Sequence, residues 1–149
     1  MGPRYLFWLL ALSVGLSCNS KNGGKTQPPV QPPGESFALS VKAPEEGKVG
    51  QELVASVQVV PKGPYKVNME YPTKLEVKGP ATAEPTQESL AKKQAVRHTT
   101  SEILFKPAFK LKEAGDYAFE GELRFSVCTK KQCEIKREKV KWVAKVKGE

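Results

Sequence analysis

The alternation of apolar and polar positions is clearest in the last third of the chain. Tyr117, Phe119, Leu123, Phe125 and Val127 share one parity, while Glu120, Glu122, Arg124 and Ser126 share the other. Further on, Val140, Trp142, Ala144 and Val146 alternate with Lys139, Lys141, Lys145 and Lys147, and Val143 breaks the polar row. A period of two is that of a strand with one face buried. The two runs read as a hairpin whose polar turn runs from Thr129 to Gln132. Placing Cys128 opposite Cys133 sets Gly121 against Val140, Phe119 against Trp142 and Tyr117 against Ala144. The apolar faces then coincide, and a slip of one residue would turn one of them to solvent. Nearer the turn this register sets Glu134, Lys136 and Glu138 against Val127, Phe125 and Leu123, so the tip is expected to project beyond the core.

Upstream the same period recurs in shorter pieces. Phe37, Leu39 and Val41 define a strand that ends at Pro44, and a turn follows at Glu45 to Lys48. Leu53, Ala55, Val57 and Val59 define a second, stopped by the Pro61 to Pro64 turn. Tyr65, Val67 and Met69 make a third, ended by Pro72, and Leu75 and Val77 a short fourth, ended by Gly79 and Pro80. Ala81 to Thr100 is poorly patterned; Leu90, Ala91 and Ala95 have the spacing of one short helix over Glu88 to Val96. Ile103 to Leu111 resumes as a strand in which Pro107 implies an edge or a bulge. Glu113 to Asp116 is a turn before the final hairpin. Seven to eight strands separated by turn signals predict an all-β fold, an immunoglobulin-like β-sandwich spanning residues 36–149.

Composition alters this picture little. The chain has 149 residues, 39% hydrophobic and 27% charged, which points to one globular domain. The formal net charge is +8. Lysines and arginines are scattered among glutamates, as on the solvated faces of strands. A basic balance draws anionic partners, but no nucleic-acid motif and no aromatic cluster on a basic face accompanies it, so no nucleic-acid partner is expected. His98 is the only histidine, and C-x-x-x-x-C is not a zinc-knuckle spacing, so no metal or other cofactor is expected. No nucleophile–base motif or phosphate loop is present.

The beginning of the chain reads as an address. Arg4 precedes an apolar run from Tyr5 to Leu16, followed by Ser17 and Cys18. This is the layout of an export signal over residues 1–17, and the run is too short for a membrane span. Gly15-Leu-Ser-Cys18 resembles the lipobox of bacterial lipoproteins, with Ser17 fitting and Gly15 and Leu16 departing from the preferred residues. That resemblance implies lipidation of Cys18, a membrane partner through the lipid, and a place in the bacterial cell envelope facing the periplasm. It also accounts for an odd number of cysteines. Residues 18–35, rich in Gly, Asn and paired prolines, read as a linker.

Cys128 and Cys133 flank the final turn. Opposed residues in a non-hydrogen-bonded antiparallel pair have Cα atoms about 4.5 Å apart, within reach of a disulfide. The loop closed is short, so the entropic gain lies at the low end of the usual range. A bond that adds little stability on an exposed tip is a candidate for chemistry; a structural staple is the alternative.

The run Ala114-Gly-Asp-Tyr-Ala-Phe-Glu-Gly-Glu-Leu-Arg-Phe-Ser-Val-Cys128-Thr-Lys-Lys-Gln-Cys133 resembles the N-terminal periplasmic domain of the thiol:disulfide interchange protein DsbD. The resemblance implies an immunoglobulin-like sandwich whose last hairpin carries a redox pair, here Cys128 and Cys133. It implies electron transfer from a thioredoxin-like donor, or another periplasmic redox protein, to disulfide proteins. The family shields its disulfide with an aromatic residue from a cap loop, whereas Ala81 to Leu104, where that loop should fall, has no Phe, Tyr or Trp. Arg124, Lys130, Lys131, Lys136 and Arg137 lie near the pair in sequence, and neighbouring cations favour a thiolate. Two functions remain open on these residues: a lipid-anchored thiol–disulfide exchange module, or a non-enzymatic binding or scaffolding lipoprotein with a structural disulfide.

Overall fold

Two layers of strands enclose one apolar core. The computed structural model describes residues 36–85 and 87–148. The predicted signal peptide, the linker and Cys18 lie outside the described residues. One layer comprises β1 (Phe37–Lys42), β3 (Glu52–Val54), β4 (Ser56–Pro61), β7 (Ala83–Pro85), β9 (Arg97–Thr99), β10 (Glu102–Phe105) and β11 (Ala108–Leu111). The other comprises β2 (Gly47–Lys48), β5 (Lys66–Val67), β6 (Lys74–Lys78), β8 (Ser89–Ala91), β12 (Gly115–Cys128) and β13 (Cys133–Lys147). The first layer is made of two sheets, of order β1-β4-β10-β9 and β3-β11-β7, which meet where the Ala55 amide donates to the Pro107 carbonyl; the second is one sheet of order β2-β13-β12-β6-β8, with β5 beside β12. The fold is an all-β immunoglobulin-like sandwich.

Alternation explains which residues fill it. Phe37, Leu39 and Val41 from β1 and Val57 and Val59 from β4 are buried, and so are Leu75 and Val77 from β6 and Val140, Trp142, Ala144 and Val146 from β13. Aromatic rings join the layers. Phe109 on β11 lies 4.2 Å, centroid to centroid, from Phe119 on β12, which stacks on Trp142 at 5.5 Å. Phe37 meets Phe125 edge-on at 5.0 Å. Such pairs add to the apolar area they bury.

Four expectations need correction. Glu88 to Val96 is not one helix: it divides into β8, a single 3₁₀ turn (Lys92–Gln94) and the start of the segment leading to β9. The Gln94 side-chain carbonyl accepts from the Ala91 amide, but apart from Leu90 the stretch buries too little to hold a helix against the sheet. Pro107 marks neither an edge nor a bulge. It interrupts a central strand between β10 and β11, beside the matching break at Ala55. Proline has no amide to give the ladder, and its carbonyl accepts from the Ala55 amide at 3.0 Å. The third strand is only the two-residue β5, because Asn68 to Pro72 leaves the sheet as an arch before β6.

The fourth correction concerns the hairpin tip, which does not project beyond the core. Leu123, Phe125 and Val127 are fully buried. Phe37 from the opposite layer covers Phe125, and β5 extends the sheet beside Val127. The cover comes from segments far away in sequence, which is why the polar residues of β13 suggested a projecting tip.

Candidate functional site

The expected register holds along the whole hairpin: Tyr117 faces Ala144, Phe119 faces Trp142, Gly121 faces Val140 and Cys128 faces Cys133. Inside the pair, the Thr129 amide donates to the Gln132 carbonyl at 2.8 Å. The Thr129 hydroxyl accepts from the amides of Lys131 and Gln132, both at 3.2 Å. A side-chain oxygen thus joins the Gln132 backbone carbonyl in closing the turn. Because Thr129 and Gln132 are the hydrogen-bonded pair, Cys128 and Cys133 form the neighbouring close pair, with Cα atoms 4.0 Å apart. They are joined as a disulfide.

Alternation assigns the sulfurs to the outer face of the sheet, in the same row as Ser126 and Ile135 and then Arg124 and Arg137. Cys128 is half-buried and Cys133 exposed. Ile135 is 63% exposed, so an apolar side chain stands in solvent next to the disulfide. Ser126 is buried by comparison, and its hydroxyl has no hydrogen-bond partner among the described residues. Its carbonyl accepts from the Asn68 amide at 2.8 Å, where the arch passes.

The cations near the pair in sequence divide on folding. Arg124 is ion-paired to Glu122 at 2.5 Å, which raises its pKa further. Lys136 projects to the inner face, where it pairs with Glu134 at 2.8 Å and lies 5.9 Å from the Phe37 ring centroid. Arg137 stands opposite Arg124, two rows from the sulfurs. Lys130 and Lys131 remain at the turn and take part in no ion pair among the described residues. The cation that register brings beside the pair is Lys66 on β5, directly across from Cys128. It lies more than sixty residues away in sequence, and a two-residue strand leaves no pattern from which this pairing could be read.

A polar cluster lies on the opposite side of the sheet from the sulfurs. Glu134, next to Cys133 in the chain, accepts hydrogen bonds from the Ser36 hydroxyl at 2.9 Å and the Tyr65 hydroxyl at 2.7 Å. Lys136 first, and then the Tyr65 and Ser36 hydroxyls, hold its carboxyl down to about 2. The Tyr65 phenol is raised in turn, first by its bond to Glu134 and then by burial, while Gln132 opposes the shift. Tyr65, from the segment before β5, thus places an aromatic ring at this end of the hairpin on the face away from the sulfurs, and not as a cap over the disulfide.

His98 lies on β9, in a different sheet from the cysteine hairpin, with Nε2 3.0 Å from the Thr73 hydroxyl. Burial first, then Lys92, lowers its pKa. Among the described residues no group of three or more His, Cys, Asp or Glu could hold a metal ion, and no helix is long and apolar enough to cross a membrane.

Fold and site together define a β-sandwich with a disulfide across the end of its last hairpin. No family model and no curated protein matches the chain. Among solved structures, it is similar to the GAE domain of GGA2p from Saccharomyces cerevisiae at 2% identity and a TM-score of 0.47, covering 77% of this chain and 96% of that one. It is also similar to AggA, the major subunit of aggregative adherence fimbriae type I from Escherichia coli, at 10% identity and 0.40, covering 74% and 95%. A third is BslA, a bacterial hydrophobin, at 10% and 0.34, covering 78% and 98%. Likeness at these values carries no functional argument.

Proposed function

We propose that the domain is a thiol–disulfide exchange module of the kind found at the N-terminus of DsbD, with Cys128 and Cys133 as the redox pair. The observation that carries the reading is the placement of the bond: on the outer face at the end of a hairpin, with one sulfur-bearing residue exposed and a lysine across from the other. Exposure makes Cys133 the residue whose Sγ receives an incoming thiolate. The Cys128–Cys133 bond breaks, its electron pair leaves on Cys128 Sγ, and Lys66 and the turn lysines favour the thiolate formed there. A mixed disulfide joins Cys133 to the partner. A second thiolate of the partner then attacks the partner's own sulfur and releases Cys133. The domain has gained two electrons and the partner has become a disulfide. Run in reverse, the same steps reduce a substrate disulfide.

The partners in this reading are a thioredoxin-like or other dithiol protein of the periplasm, and a membrane reached through lipid on Cys18. Mass spectrometry of the mature N-terminus tests the anchor: a diacylated Cys18 is expected, and a free amine at any other residue ends that part of the proposal. The exchange reading is tested by the reduction potential of the pair, together with trapping of mixed disulfides. Structural disulfides lie below about −300 mV. A less negative value is expected, with Cys128→Ala capturing a partner through Cys133. A potential in the structural range, with no trapped species from Cys128→Ala or Cys133→Ala, leaves the bond as a staple.

A further inference from the structure

The cluster beneath the disulfide suggests how the pair is kept ready to re-form. Three side chains converge on the Glu134 carboxylate: Ser36 just before β1, Tyr65 just before β5, and Lys136 two residues along β13. Tyr65 immediately precedes Lys66, the residue paired with Cys128, and Glu134 immediately follows Cys133. The Tyr65–Glu134 bond therefore runs from β5 to β13 across β12, on the inner side of the rows that carry the sulfurs. Its donors are themselves fixed. The Lys62 amide donates to the Ser36 carbonyl at 3.0 Å, and the Tyr65 amide to the Lys62 carbonyl at 3.1 Å. Hydrogen bonds to a charged acceptor are the stronger kind, and this acceptor receives two as well as an ion pair.

We propose that Ser36, Tyr65 and Glu134 form a clamp that holds Cys128 and Cys133 in apposition when their bond is open, with Glu134 acting as a positioning residue for the pair. The proposal rests on the exchange reading for its purpose but on hydrogen bonds alone for its geometry. In the oxidised protein the disulfide fixes the tip by itself, so the clamp adds little order there. In the dithiol form only the clamp and the strand ladder restrain the end of β13. Loosening it gives the dithiol more freedom and lowers the effective concentration of one thiol at the other. The equilibrium then moves toward the dithiol.

The test equilibrates the full-length protein and its variants with glutathione redox buffers. Tyr65→Phe removes one donor without changing shape, and Glu134→Gln removes the charge. Each is expected to shift the thiol–disulfide equilibrium constant about three- to tenfold toward the dithiol, tenfold being about 30 mV. Glu120→Gln removes the 2.7 Å ion pair to Lys141 on the same hairpin, away from the sulfurs, and is expected to change the constant less than about twofold. Should Glu134→Gln fail to fold, Tyr65→Phe and Ser36→Ala decide the matter. Folded Tyr65→Phe and Ser36→Ala proteins with the wild-type constant overturn the clamp. A wild-type constant in the structural range overturns the exchange reading instead, and the ratio of variant to wild type still measures the clamp.

Discussion

Reducing the disulfide should weaken the domain without unfolding it, and the size of the loss follows from the loop. The cysteines are five residues apart, so the bond closes one of the smallest loops a hairpin allows. The chain-entropy relation gives about 2 kcal/mol at 25 °C for such a loop. For a domain of this size, that corresponds to a fall in Tm of roughly 8 °C. Because folding and reduction form a closed thermodynamic cycle, the same energy fixes a redox quantity. The folded pair must be roughly 40–50 mV more reducing than the same pair in the unfolded chain.

Both sides of the cycle can be measured. Urea unfolding of the oxidised and reduced proteins gives the stability difference, with the slopes compared because reduction also changes the denatured state. Glutathione equilibration in native and in strongly denaturing buffer gives the two potentials. The reduced protein is expected to keep its near-ultraviolet signal from Trp142 and the core phenylalanine rings. A reduced form that is unfolded at 25 °C, or a loss above about 4 kcal/mol, would refute the reasoning. It would mean that the hairpin bond, and not the aromatic core behind it, holds the sandwich together.

Gly121→Ala should be costly although glycine is ordinarily a weak choice for a strand: a Cβ there would stand 2.5 Å from the Glu76 carbonyl oxygen and 2.9 Å from Val140 Cγ2. The backbone of β6 or β12 must shift, and thermal unfolding is expected to show a loss of ~1–3 kcal/mol, with an unchanged Tm refuting the close approach. Glu134 predicts an acid dependence. Its carboxyl is held down to about 2 in the folded protein, so its contribution is fully present above the ordinary glutamate range near pH 4.5 and disappears as pH falls toward 2. The stability difference between wild type and Glu134→Gln should therefore shrink across that window in urea titrations, and a difference that stays constant from pH 5 to pH 2 would count against the bonded carboxylate.

The long hairpin was legible because its information is local. Fourteen register pairs follow once Phe119, Trp142 and the cysteines are aligned, and alternation forbids the neighbouring slip. The paired sulfurs were legible for the same reason. The environment of the pair was not. Lys66 and Tyr65 reach it through a strand of two residues, and Ser36 through the opposite layer, so no periodic signal announces either contact. Residues 83–99 were illegible for another reason. Ala83 and Leu90 are the buried hydrophobic residues there, and with one apolar anchor each on β7 and β8 and none on β9 a sheet pattern cannot be told from a helical or irregular one.

The polar inner positions of β13 are the exception to its apolar inner face, and their bonds tie this end of the sandwich together. Glu134 and Lys136 face a layer that elsewhere on β13 receives Val140, Trp142, Ala144 and Val146. Beside β1 they are half-buried, and a charged pair in that position needs partners, which Ser36 and Tyr65 provide. An apolar residue at position 134 would pack in the same place but could not bond β5 to β13 from below the sulfurs. The polar exception in the pattern thus coincides with the one stretch of the hairpin where a bond on the opposite face opens and closes in the proposed reaction. In the proposed exchange, tying that stretch down by hydrogen bonds would leave the outer face, with Cys133 exposed and Ile135 in solvent, open to another protein's thiol while the core beneath it stays in place.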